Sequence, residues 1–152
     1  MYDLTKLFRP VTAQPALNSL YYSETAPCEA LSPYIRCFWG TLRPVSGAAA
    51  FAERMLVIPD GCMDVIFRAD ISGGTVTSAF CGMDTNGAAG GRFVAYPGQT
   101  ATFGVRFYLW GASLFSSREL SGTGCRTVNA WELVPELCRR MSEYLGYGNT
   151  LI

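Results

Sequence analysis

Between residues 20 and 109 the chain is a succession of short apolar runs with a period near two, each closed by turn residues. That is the pattern of a β-sandwich or β-barrel. Residues 34–41 are the clearest case: Ile35, Cys37 and Trp39 alternate with Tyr34, Arg36 and Phe38, so a strand here presents the two sets to opposite sides. Further strands are expected at 20–22, 53–58, 62–68, 75–81, 92–96 and 101–109. Turns separate them at Pro27, Pro59-Asp60-Gly61, Gly73-Gly74 and Pro97-Gly98-Gln99, where proline presets φ, aspartate bonds back to its own backbone and glycine accepts positive φ. Segments 46–50 and 86–91 are made of small residues that bury little, and they read as loops at the rim.

After residue 109 the pattern changes to helical spacing. Residues 110–120 are compatible with a short helix, which Gly122 and Gly124 then break. Asn129 and Glu132 stand as an N-cap and its partner three residues on. Pro135 is best tolerated in a first turn, which predicts a short turn through Trp131 and then a helix over 135–145 stopped by Gly146. The apolar stripe of that helix is Leu137, Met141, Tyr144 and Leu145, with Arg139, Arg140 and Glu143 turned outward. Such a stripe either packs on its own domain or forms a dimer interface. The fold class expected is therefore α+β, mainly β with C-terminal helices: one domain over 1–152, with a barrel or sandwich at 20–109 and a helical segment at 110–152.

Composition narrows the function classes. A chain of 152 residues is long enough to bury about 70% of its unfolded surface as a single domain. Twelve basic and twelve acidic residues cancel and are scattered singly, so there is no basic stripe of the kind nucleic acid requires, and this chain by itself is not expected to grip DNA. No stretch reaches the roughly 18 apolar residues of a membrane span, which points to a soluble, cytoplasmic protein with no membrane partner. The six cysteines form no C-x-x-C pair, so they are read as reduced and mostly buried thiols. There is no histidine, which removes Ser-His-Asp triads, Cys-His pairs and histidine-ligated metals together. No metal and no cofactor is expected.

The residue that stands out is Arg106. On a strand it shares a face with Gly104 and Tyr108, while Phe103, Val105 and Phe107 point the other way. A charge so placed needs a partner. It either meets a ligand in the lumen or forms a structural ion pair with Asp60 or Asp64, and both roles are compatible. Cys62, opening a strand after a tight turn, is either a core thiol or a reactive one. Phe38, Trp39, Tyr96, Tyr108 and Trp110 are candidates to line an apolar cavity with polar tips. Gly87, Gly90 and Gly91 do not stand in a phosphate-binding arrangement.

Taken together, the run from Cys28 to Trp39 (CEALSPYIRCFW), the segment from Pro59 to Phe67 and the segment from Phe103 to Phe107 resemble the N-terminal domain of AraC-type transcriptional regulators. The resemblance covers roughly residues 21–145. It implies a cupin-like β-barrel followed by helices, binding a small-molecule effector and forming a homodimer, with DNA contacted only through a C-terminal helix-turn-helix domain that is not in this chain. Two departures accompany it. Tyr108-Leu109-Trp110-Gly111 replaces the proline-glycine turn common in relatives, and the metal-binding histidines of catalytic cupins are absent. The alternatives are a small barrel enzyme, an isomerase or lyase working with Cys62, Asp60, Asp64 or Arg106, and a purely structural dimerisation domain.

Overall fold

A computed structural model describes residues 4–8, 22–42, 55–57, 60–70, 74–83, 92–94 and 100–144. The rim loops expected at 46–50 and 86–91, together with Tyr96 and Leu145, lie outside the described residues. A 3₁₀ turn at Leu4–Lys6 precedes strands β1 (Tyr22–Thr25), β2 (Ile35–Leu42), β3 (Met55–Val57), β4 (Cys62–Asp70), β5 (Thr75–Cys81), β6 (Arg92–Val94) and β7 (Thr100–Tyr108). Helix α1 (Ala112–Phe115), strand β8 (Thr127–Asn129), a 3₁₀ turn at Ala130–Glu132 and helix α2 (Pro135–Tyr144) follow. The strands form a six-stranded antiparallel sheet in the order β1-β2-β7-β4-β5-β8 and a two-stranded sheet of β3 and β6. The class is mainly β with helices near the C-terminal end, as the periodicity predicts.

β4 and β7 lie side by side at the centre and pair without interruption from Cys62↔Tyr108 to Asp70↔Thr100. Alternation then sorts their side chains. Met63, Val65 and Phe67 of β4 and Val105 and Phe107 of β7 enter one apolar core, joined by Phe80 of β5 and by Ala130, Leu133, Val134 and Cys138 from the C-terminal segment. Phe67, Phe80, Phe107 and Val65 are completely buried, each contributing about 1.5–3 kcal/mol of transfer free energy. The other side of the sheet carries Asp64, Gly104 and Arg106.

One strand departs from simple alternation. Ile35 pairs with Phe107 but Cys37 pairs with Arg106, so a bulge at Arg36 moves the strand one residue out of step. Ile35 therefore lies in the apolar core, whereas Cys37 and Trp39, expected on the same side as Ile35, are delivered to the opposite one; all three are buried.

The C-terminal segment is less helical than its spacing suggests. β8 adds an edge to β5 through Ala79↔Asn129, Phe80↔Val128 and Cys81↔Thr127, because a three-residue extended stretch there satisfies backbone groups of the sheet. Asn129 then caps the 3₁₀ turn by accepting from the Trp131 N–H at 3.0 Å, and the helix starts at Pro135, as predicted. The buried line of α2 is Cys138 and Ser142, flanked by half-buried Leu137 and Met141 that pack on the core of this same chain. Tyr144, expected on the apolar stripe, is 87% exposed: Val134 and Cys138 set the inward direction of the helix and rotate Tyr144 out to solvent.

Candidate functional site

The site is built from three stretches far apart in sequence. Just before β4, Asp60 opens a turn in which Gly61 takes φ 71°, and the Asp60 carboxylate accepts the Cys62 N–H at 3.0 Å. This aims β4 so that Asp64 stands directly opposite Arg106 of β7. Arg106 grips Asp64 with two donors, Nε to Oδ1 at 3.1 Å and Nη2 to Oδ2 at 3.3 Å, and its Nη1 lies 3.4 Å from Asp60 Oδ2. The ion pair anticipated with Asp60 or Asp64 thus involves both. Trp39 of β2 completes the set by donating Nε1–H to Asp64 Oδ1 at 2.8 Å.

Gly104 makes this geometry possible. A Cβ at position 104 would stand 2.1 Å from Trp39 Cε2, so only a glycine leaves room for the indole to lie across β7 and reach Asp64. Tyr22 of β1 stacks on the indole at 6.0 Å and donates its hydroxyl to Glu24 at 2.6 Å. All these side chains are sheltered: Asp60, Asp64 and Arg106 are 12–16% exposed.

Burial governs the protonation chemistry. At Asp64 burial raises the carboxyl above its ordinary range, opposed by Arg106 and by the Trp39 hydrogen bond. At Arg106 burial works against the charge, but Asp64 and then Asp60 outweigh it and the guanidinium is held more firmly protonated. Three N–H donors, two from Arg106 and one from Trp39, favour the charged carboxylate of Asp64 and oppose that rise. Burial pushes the Cys37 thiol up to about 12. It raises Cys62 as well, with the Asp60 carboxylate adding to the effect, so both thiols are protonated and poorly nucleophilic at neutral pH. Cys62, 6% exposed, is buried on the Arg106 side of the sheet. Burial likewise raises the Tyr22 phenol, reinforced by Glu24.

The remaining candidates divide. Tyr108 of β7 pairs with Cys62 of β4 and stacks face to face on Trp110 at 4.9 Å, while Trp110 donates Nε1–H to the Pro33 carbonyl at 2.8 Å and meets Phe8 edge-on. This pair closes the end of the sheet near Gly61, whose position is in contact with Phe8. Phe38, by contrast, does not join the site. It stacks on Phe103 at 6.2 Å on the core side, because the step at Arg36 gave the Arg106 side to Cys37 and Trp39. Tyr96 lies outside the described residues. Tyr22, Glu24 and Cys37 were not anticipated; for Tyr22 the only cue was its place in an aromatic strand. The interior glycine of β7 was a readable cue for a close approach, and the approaching group is Trp39. Among the described residues no three cysteine, aspartate or glutamate side chains are grouped to hold a metal ion, and no helix is long and apolar enough to cross a membrane.

The arrangement welds β2, β4 and β7 together on one side of the sheet, with one carboxylate as the shared acceptor. Comparison with curated proteins and with solved structures returns no match. A family model does match residues 23–128, a span running from β1 to β8 that includes every residue of the Trp39–Asp64–Arg106 network, and the chain belongs to that family, described as a domain of unknown function, DUF6597.

Proposed function

We propose that this chain is the effector-sensing module of an AraC-type transcriptional regulator, which binds a small molecule on the Arg106 side of the sheet without catalysis and acts in the cytoplasm as a homodimer. The observation that carries the reading is the convergence of the three segments that resemble such regulators. Trp39, Asp64 and Arg106, with Gly104, come one from each or from neighbouring positions, and they meet in one buried network. A network of this kind ties three strands to one another, so a ligand that touches it favours one arrangement of the sheet and its appended helices over another. Differential affinity then biases a DNA-binding domain attached beyond α2. A role without catalysis is supported by the same geometry: Asp64 already accepts three N–H groups from Arg106 and Trp39, and Cys62 is a buried protonated thiol.

Native mass spectrometry of the purified chain, followed by a thermal-shift screen of neutral, acidic and basic metabolites, tests the proposal. A dimer that retains or is stabilised by a small molecule is expected. An adduct-free monomer that no class of metabolite stabilises would sink the sensor reading and leave a structural module.

A further inference from the structure

We propose that a second copy of this chain docks, through a two-fold contact, on the apolar patch formed by residues 109–115 together with the turn over residues 4–8. That contact forms the homodimer of the sensor reading, on which the assignment rests. Among the described residues the large apolar side chains left exposed are Leu4, Leu7, Phe8, Leu109, Leu114, Phe115 and Tyr144, and all but Tyr144 belong to these two segments. The segments meet where Phe8 stands edge-on to Trp110 at 6.1 Å. Singly exposed leucines are normal on a folded chain, but large apolar residues gathered in one place mark a contact surface. The platform is also rigid. Trp110 is pinned by its hydrogen bond to the Pro33 carbonyl and by stacking on Tyr108, Phe115 lies against buried Phe107 at 5.2 Å, and a Cβ at Gly111 would stand 2.1 Å from the Tyr34 carbonyl oxygen. Little side-chain entropy is left to lose on docking.

Charge decides the occupant. Residues 107–117 carry none, the exposed pair that follows, Arg118 and Glu119, is of opposite sign, and the turn over 4–8 adds the exposed Lys6. A two-fold contact sets a patch against its own copy, so a charge at its centre would face its like, whereas an uncharged centre with cations and an anion around it is complementary to itself. Aromatic side chains in the middle with charge confined to the edge are also the composition of interface cores. Helix α2 is the poorer surface. Leu137 and Met141 of its stripe already pack on this chain's own core, and its outer face holds Glu136, Arg139, Arg140 and Glu143 in mutual ion pairs, with Tyr144 exposed beside them. A partner seated there would have to strip four charges of water.

Sedimentation velocity over a concentration series tests this on the wild-type chain, on Leu114→Glu and Leu114→Arg, and on Tyr144→Glu as the control on α2. Leu114 is 56% exposed, so both of its variants should fold as the wild type does, which far-UV circular dichroism checks. The wild type should be a dimer. Either charge at position 114 should weaken the dimer at least about tenfold, because it meets its like or an uncharged aromatic surface, and Tyr144→Glu should leave it unchanged. An equal mixture of Leu114→Glu and Leu114→Arg should recover the dimer by pairing opposite charges, a result that neither misfolding nor a different partner protein produces. A wild-type dimer that both Leu114 variants leave intact, that Tyr144→Glu breaks instead, or that the mixture does not recover would overturn the inference and leave the sensor reading standing. A wild type that is monomeric at every concentration would overturn the inference and the homodimer together, and the thermal-shift screen for small molecules would then decide separately on sensing.

Discussion

Replacing Arg106 by alanine should be the most informative single perturbation. The substitution removes two hydrogen bonds to Asp64 and the ionic contact to Asp60, and it leaves two carboxylates facing each other at 12–16% exposure. Breaking a buried pair by removing one partner costs about 3–5 kcal/mol, and the residual solvent contact argues for the lower end, about 3 kcal/mol. At about 2–4 °C per kcal/mol for a chain of this size, the melting temperature should drop by about 6–12 °C. Urea denaturation followed by tryptophan fluorescence measures the free energy, and repeating it across pH tests the cause. Without the guanidinium, burial raises the Asp64 carboxyl further above its unfolded value, so the folded variant binds a proton that the unfolded chain does not. Stability of the variant is then highest below the unfolded pKa and falls as pH rises through the folded one. The deficit relative to wild type should therefore shrink on going from pH 7 toward pH 4, roughly the ordinary carboxylate range. A loss under about 1 kcal/mol, the ceiling for an exposed pair, or a deficit that stays constant with pH, would refute the buried-network argument.

Gly104→Ala should cost about 1–3 kcal/mol through overpacking, because its Cβ would fall 2.1 Å from Trp39; loss of the Trp39–Asp64 hydrogen bond should appear as an altered indole N–H resonance, and an unchanged spectrum would contradict the assignment. Alkylation by iodoacetamide at pH 8, read by mass spectrometry, should label the exposed Cys28 and Cys125 quickly and Cys37, Cys62 and Cys138 only after unfolding, since the last three are buried and burial raises their thiols. On α2, hydrogen bonds from Arg139 and Arg140 hold the exposed Glu136 carboxyl down to about 2, so the support these pairs lend the helix is present above the unfolded carboxylate value of 4.5 and is lost as pH falls toward 2. An NMR titration of Glu136 midway between the two values at moderate salt would show the pairs to be screened away.

Sequence was sufficient wherever a property is local. Period-two alternation located β4, β5 and β7 to within a residue or two, Asn129 and Pro135 determined how the last helix begins, and the positive φ of Gly61 follows from the turn chemistry of its neighbours. The charge on Arg106, set among apolar residues, was enough to predict a carboxylate partner and to nominate Asp60 and Asp64. Three matters belonged to the tertiary structure. The bulge at Arg36 decided that Trp39 and not Phe38 would reach the ion network, because one extra residue in a strand exchanges its two faces and nothing local to Arg36 announces it. The inward direction of α2 was decided by Val134 and Cys138, since a helix with apolar residues over a broad arc takes its orientation from whatever it packs against. The patch of Leu7, Phe8, Leu109, Leu114 and Phe115 was invisible for the same reason: an apolar residue in a short run reads as core until the fold shows which of them it leaves in solvent and that the two segments meet. Dihedral preference and hydrophobic period are written residue by residue, whereas pairing partners depend on contacts between segments that the chain brings together only when it folds.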